Sequence, residues 1–411
     1  MSENIENCPN CQNSLEVNEG YITWCDKCYW NINPDIDYLS KKRIFDFAYE
    51  NISKVSVNNL YNEVLQAKNI KQRISAYSIL AYVISAFIYA ISIFFMFFSL
   101  RVLFFSGGAP HTYLLSIIFL IFGIEIFPRV TKVRETKLDP QEYPGLFKLV
   151  DTISNRIKGQ RINNICVSYD YNAYFTTSGL KRENVIILGI PYFSILDINE
   201  KISVIAHELT HCSNKDTSRH SFVFTAVTSL SKWYSFLLYF GEIKILLPIS
   251  WPLSLIVKMF IYILGIMVWR DRQRAEYYAD YTAAKIAGVE ATISSSEKFY
   301  YHPSFFNILK RTAERTNAND LFDNFRKHIK NVPEREIKRV KTLEQLETCD
   351  LQSSHPPTLY RNQYISSKIK DFDKLELSQE EINQIENEFK RLEDMIQRRL
   401  LSDYREFYVY R

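Results

Sequence analysis

Apolar residues in this chain gather into a few long runs instead of being spread evenly. The longest, Ile74 to Leu100, carries no charged residue, and about 20 apolar residues in a helix cross the ~30 Å hydrocarbon core of a bilayer. A second run, Tyr113 to Phe127, follows the turn residues Ser106-Gly107-Gly108-Ala109-Pro110 and stops at Pro128-Arg129. Together they predict a transmembrane hairpin over 74–128. Two weaker runs, Ser221 to Phe240 and Trp251 to Trp269, contain Lys232 and Lys258. Each lysine costs roughly 2.5–3.5 kcal/mol at the centre of a spanning helix. Segment 221–269 is therefore a second transmembrane hairpin whose lysines snorkel or face a wet cavity, or a membrane-associated one lying on the surface.

Between and beyond these runs the pattern changes. Tyr143 to Ile157 has the period of an amphipathic helix, while Ile165 to Ser168, Ala173 to Thr176 and Val185 to Leu188 suit short strands. Asp197-Ile-Asn-Glu200 has the spacing of a capping box and opens a further helix. Ser378-Gln-Glu-Glu381 opens a last one, whose stripe of Ile382, Ile385, Phe389, Leu392 and Ile396 reads as packing. Residues 39–73 read as a helical cytosolic linker. The catalytic domain then falls into two parts, 129–220 and 270–411, on either side of the second hairpin.

Charge orients these segments. Lys68, Lys71 and Arg73 precede the first hairpin, Arg129, Lys132, Arg134 and Lys137 follow it, and Arg270, Arg272 and Arg274 follow the second. The excess of Lys and Arg beside the outer ends places those ends in the cytosol, and the Gly107-Gly108 and Leu247-to-Trp251 turns outside. The expectation is a multi-pass integral membrane protein with both termini cytosolic. With 50 basic and 46 acidic residues the net charge is +4, so no nucleic-acid surface is expected. The N-terminus lacks the basic-then-apolar pattern of a signal peptide.

Four of the seven cysteines form two close pairs, Cys8-Pro-Asn-Cys11 and Cys25-Asp-Lys-Cys28, with Trp24, Tyr29 and Trp30 beside the second. Two such knuckles aim four thiolates at one point, so residues 1–38 read as a ribbon holding a structural Zn²⁺ that supplies its folding energy. The alternatives are chance pairing in a disordered tail, and a redox dithiol or an iron site. Cys166, Cys212 and Cys349 are scattered.

The strongest chemical signal is His207-Glu208-Leu209-Thr210-His211. Residues four apart on a helix share a face, so both imidazoles can bind one Zn²⁺, while Glu208 is turned toward a metal-bound water as general base. A third protein ligand is required. Glu276-Tyr-Tyr-Ala-Asp280 offers one, with Glu276 on the metal and Asp280 accepting from a ligand histidine. The alternatives are a helix with two partly exposed histidines, and an acidic face paired to Arg272 or Arg274.

These motifs and their order resemble the HtpX-type membrane proteases, whose relatives include the prenyl-protein CAAX proteases and a mitochondrial inner-membrane protease. The resemblance covers about residues 70–365. It implies a mainly helical, membrane-embedded α+β gluzincin-type metalloprotease with a small β-sheet. It makes His207, His211 and Glu276 the ligands of a catalytic zinc, Glu208 the base and Asp280 the supporting carboxylate. It likens Asn172-Ala173-Tyr174 to an edge strand that pairs with an extended substrate, and places His355 and Arg361 near the reacting carbonyl. Taken from the residues alone, His355-Pro-Pro is a turn and Arg361 a partner for a carboxylate. Thr210 stands where many members have Gly, and the ribbon lies outside the common pattern. The expected reaction is zinc-dependent hydrolysis of internal peptide bonds in membrane or misfolded proteins, with the ribbon available to a protein partner. The rivals are an inactive scaffold recruiting partners through the ribbon, and a prenyl-protein protease.

Overall fold

The N-terminal module is built by one turn used twice. The Cys8 carbonyl accepts the Gln12 N–H at 2.9 Å and the Cys25 carbonyl accepts the Tyr29 N–H at 2.9 Å. Gln12 and Tyr29 both take φ of 60°. Strands β1 (Asn4–Asn7) and β2 (Ser14–Val17) pair antiparallel around the first turn, with Asn7 opposite Ser14. The computed structural model describes the chain apart from residues 1–3, 19, 35–43, 68–74, 106–109, 128–131, 180, 214–215, 316–318, 348, 350, 352, 354, 371–372 and 410–411. The expected turn at Gly107-Gly108 and the basic residues Lys68, Lys71, Arg73 and Arg129 therefore lie outside the described residues.

The expected linker helix is α1 (Ile44–Gln66), and the first hairpin is α2 (Ala76–Phe105) with α3 (Pro110–Ile126). Their pairing is locked by reciprocal bonds: Ser99 Oγ donates to the Ser116 carbonyl at 2.7 Å, and Ser116 Oγ to the Ser99 carbonyl at 2.8 Å. The inward face of α2 is small and polar (Ser78, Ala81, Ser85, Ser92, Ser99), while Phe87, Phe94, Phe97 and Phe104 face outward. That inverts the pattern of a water-exposed helix and is the arrangement a helix needs between protein and lipid. Helix α7 (Asp216–Gly241) and the 41-residue α8 (Leu247–Ala287) pack beside this hairpin.

Two of these helices, α2 and α8, are long and apolar enough to cross a membrane. Helix α3 has 17 residues, at the short end for a span, and the described residues of α7 hold no stretch as long and apolar as those of α2 and α8. The turn expected at Leu247 to Trp251 is a correction: Leu247 already begins α8, and the link is 242–246. The reason is proline chemistry, because a proline in the first turn of a helix loses no hydrogen bond and arrives with suitable φ. Helix α8 continues without a break from its apolar half through Glu276 and Asp280, roughly 60 Å at 1.5 Å per residue.

The soluble part rests on a four-stranded sheet of order β3-β4-β6-β5: β3 (Thr136–Lys137), β4 (Asn164–Ser168), β5 (Ala173–Ser178) and β6 (Glu183–Gly189). Strands β4 and β6 are parallel, and β5 pairs antiparallel with β6 at the edge. Helix α4 (Pro144–Arg156), the single turn α5 (Ile190–Phe193) and α6 (Ile198–Ser213) share one core with the sheet through Leu146, Ile165, Ile186, Phe193 and Ile205. Gly189 is held where a Cβ would lie 2.1 Å from the carbonyl oxygens of Asp170 and Asn172. Only a hydrogen side chain lets the loop before β5 close onto the end of β6. Helices α9 (Val289–Lys298), α10 (His302–Ala313), α11 (Leu321–Lys330), α12 (Glu334–Leu346), α13 (Thr358–Lys368) and α14 (Gln379–Tyr404) complete the fold. Helix α14 opens on the expected Ser378–Glu381 capping box, and its stripe is core packing. The architecture is α+β and mainly helical, as the sequence pattern implies.

Candidate active site

Helix α6 starts with the predicted capping box: Asp197 N–H donates to Glu200 at 2.7 Å and Glu200 N–H donates to Asp197 at 2.9 Å. Ile202, Ile205, Ala206 and Leu209 bury one side of this helix in the core. The opposite side then presents His207, Glu208 and His211, because these positions lie on the remaining arc of a 3.6-residue turn. Helix α8 packs against α6 and brings Glu276 to both histidines. His207 Nε2 and His211 Nε2 are 3.2 Å apart, and lie 3.4 Å and 3.3 Å from the two Glu276 oxygens.

This triangle fits a metal. Ligand atoms 2.0–2.1 Å from a tetrahedral zinc stand ~3.3 Å from one another, and two imidazoles with one carboxylate are a donor set of open zinc sites. Burial opposes the charge on Glu276, but His355, His211 and His207 outweigh it and hold its carboxyl well below the ordinary range. Burial likewise opposes protonation of His207, while bonds to Asp280 and Glu276 push it up to about 10. A cation bound here would compete with that proton.

Asp280 stands where the spacing suggests, its Oδ1 at 3.0 Å from His207 Nδ1, which leaves Nε2 for the metal. Its other partner comes from a distant part of the chain. Arg361, on α13, donates from Nε and a terminal nitrogen to the two Asp280 oxygens, both at 2.7 Å. Arg361 also lines the cleft beside the histidines, and its fork is held by the same Asp280 that meets His207. His355 lies on the other side of Glu276, with Nδ1 at 2.6 Å from Oε2 and its ring half exposed in the cleft. Arg274 pairs with Glu63 at 2.9 Å and, two residues from Glu276, does not share its helix face. Arg272, one helical turn before Glu276, lies within electrostatic reach of it, while the carboxylates of Glu276 and Asp280 bond to histidines and to Arg361.

These groups sit in a cleft of about 910 Å³ that also takes in Asn172, Ala173, Tyr174 and Phe175 from edge strand β5 and the loop before it. The Phe175 N–H points away from β6 and donates to Glu208 Oε2 at 3.0 Å. The edge of the sheet and Glu208 thus meet beside the histidines. Tyr174 donates through its hydroxyl to Glu135 at 2.8 Å. Sequence reasoning does not point to three further cleft residues, Asn33, Arg339 and Glu347, since none lies in a motif. Glu347 accepts from the Thr358 N–H at 2.7 Å and so caps the helix that carries Arg361.

The four paired cysteines also converge. Cys8 and Cys28 sulfurs are 3.6 Å apart, Cys11 and Cys25 sulfurs 3.5 Å, and none is in a disulfide. Sulfurs at ~2.3 Å from a tetrahedral zinc stand ~3.8 Å apart, so this cluster has the size and donor type of a four-thiolate metal site. Burial works against the Cys28 thiolate, yet the bonds from Asn10 and Trp30 pull it down to about 6.

Comparison with known proteins bears on this geometry directly. The model of peptidase family M48 matches residues 151–369, which contain both helices of the histidine site. A Protease HtpX homolog of Salinibacter ruber is 25% identical over 200 residues, covering 48% of this chain and 67% of its own. Protease HtpX homolog 1 of Saccharolobus solfataricus is 30% identical over 187 residues, covering 42% of this chain and 59% of its own. No solved structure matches the chain. The match spans more than half of the chain and encloses the His207–His211–Glu276 cluster, so the chain belongs to peptidase family M48, a family of metal-dependent proteases.

Proposed function

We propose that this protein hydrolyses internal peptide bonds of extended polypeptide segments, holding one zinc on His207, His211 and Glu276 and a second, structural one on Cys8, Cys11, Cys25 and Cys28. The observation that carries the reading is the 3.2–3.4 Å triangle of ligand atoms beside Glu208 and the outer edge of β5, whose Phe175 amide Glu208 holds. When bound, zinc supplies Lewis acidity and an acidified water at neutral pH. The rest is the work of the chain. Glu208 takes the proton of the attacking water, as a carboxylate within reach of both metal site and edge strand can. A substrate lying along β5 as an added strand is aligned by its backbone, which suits any extended sequence. Asp280 fixes the tautomer of His207, and Arg361 fixes Asp280. His355, on the exposed side of Glu276, is positioned to donate to the oxygen that gains charge.

Membrane or misfolded proteins are the substrates this arrangement favours, since α8 runs unbroken from its apolar half to Glu276. We read the segments 1–38, 39–73, 74–128, 129–220, 221–269 and 270–411 as ribbon, linker, first hairpin, first catalytic part, second hairpin and second catalytic part. His211 and Glu276 share one site, so the chain between them crosses the bilayer an even number of times. The basic clusters put that site and both termini in the cytosol.

Glu208→Gln tests the chemistry. It keeps all metal ligands, so zinc content should stay at the level of the parent, while hydrolysis of an unfolded protein falls by at least about 10²-fold. Cleavage at the parent rate would remove Glu208 from its assigned role.

A further inference from the structure

The N-terminal module is not a free appendage. Ile22, Trp24 and Ile32 pack with Leu343 of α12 in one small core. Arg335 lies over the Trp24 ring at 5.5 Å and donates to the Trp24 carbonyl, and Lys338 pairs with Asp26 at 2.8 Å. Tyr21 stacks on His328 at 3.9 Å and donates to its carbonyl at 2.7 Å. The decisive contact is Arg339. It is 1% exposed, its guanidinium is forked by Glu336 at 2.7 Å, and its remaining nitrogen donates to the Ile32 carbonyl at 2.8 Å. Parting the two surfaces would break the bond to the Ile32 carbonyl and expose Ile22, Trp24 and Ile32 to water, so the contact is not a loose one.

Ile32 is followed by Asn33, and Asn33 lines the same cleft as His207, Glu208 and Phe175. Arg339 and Leu343, which grip the module, line it too. From these contacts we propose that the four-cysteine module forms one wall of the peptide-binding cleft. Asn33 faces the bound peptide, and the module determines which extended segments fit. A wall of this kind acts on how much extended chain the cleft can hold, so the selectivity expected is for length and extension of the substrate. This inference rests on the reading that a polypeptide lies in the cleft.

Binding to the non-hydrolysing Glu208→Gln protein separates the wall from the chemistry. Fluorescence anisotropy would follow a long dye-labelled unfolded peptide and a labelled tripeptide. Asn33→Trp narrows the wall, and the double variant Arg335→Glu, Lys338→Glu breaks the docking without touching either metal set. Each should weaken the long peptide by about tenfold and leave the tripeptide within about twofold, with zinc per chain unchanged. Hydrogen exchange over residues 21–32 should rise in the double variant only. If that exchange rises and both peptides bind as in the parent, the module is not a wall. If it does not rise, Asn33→Trp decides alone, and an unchanged preference for the long peptide overturns the proposal. No peptide binding and no cleavage by the unaltered protein would sink the peptidase reading as well. Cleavage indifferent to the module would sink this inference only.

Discussion

Asp280 holds its place between the His207 ring at 3.0 Å and the Arg361 guanidinium at 2.7 Å. Burial raises the cost of its charge, but Arg361 and His207 more than offset that and keep its carboxyl far below the ordinary range. Removing Arg361 therefore leaves a buried carboxylate with only an imidazole for company. Asp280→Asn and Arg361→Leu should each weaken zinc binding by about 10–100-fold, the usual loss when a ligand histidine loses its outer partner. Competition with a chromophoric chelator measures this without relying on turnover. Zinc affinity equal to the parent in both variants would mean the Arg361–Asp280–His207 chain carries no orienting role.

Among the described glycines, Gly189 is the element junction with the closest approach of other backbone. A methyl group there meets two backbone oxygens at 2.1 Å, so the loop 170–172 must move away from β6. Gly189→Ala is expected to destabilise the fold by about 1–3 kcal/mol, the range for overpacking, and to displace the start of β5. A lowered thermal midpoint together with a raised KM on unfolded protein checks both consequences. A second element-level test uses pH. His328 of α11 is pushed down to about 4 from its ordinary 6.5, first by burial and then by Arg311. It stays neutral in the folded chain where the unfolded chain takes up a proton. Its contribution to stability is intact above pH 6.5, declines as pH falls toward 4, and levels off below that. Because Tyr21 stacks on His328, exchange protection around Tyr21 should fall across that window. His328→Asn should flatten the dependence, and a variant that keeps the full pH slope would rule His328 out.

The long α8 joins two environments in one rigid body. Its outward residues Trp251, Leu255, Ile256 and Met259 are exposed apolar surface, while Tyr277, Ala279 and Asp280 are buried beside the site. With its apolar half in a bilayer, a rigid helix of this length would fix the distance between bilayer and catalytic groups, which a jointed connection would not do. If α8 spans, the 242–246 link lies outside, and Lys244→Cys should react with a membrane-impermeant thiol reagent on intact cells. Reaction only after permeabilisation would mean that α7 and α8 stay on the cytosolic side, and the zinc site would survive, since zero crossings are also even.

Local periodicity is enough for much of this molecule. The two i,i+4 pairs, His207 with His211 and Glu276 with Asp280, the capping boxes at Asp197 and Ser378, and the strands over Ala173 and Val185 all depend on neighbours within a turn or a pleat. Such order is written into adjacent residues and can be read from them. The helix start at Leu247 reads as a turn because proline chemistry serves turns and first helical turns alike. Other features join positions far apart with no shared period: Arg361 to Asp280, Arg339 to Ile32, and Glu347 to Thr358. Nothing in the spacing of an arginine from its neighbours says which distant carboxylate or carbonyl it will meet. That choice follows from how α8, α12 and α13 pack, and with it come the capture of Arg361 and the four-cysteine module at the edge of the cleft.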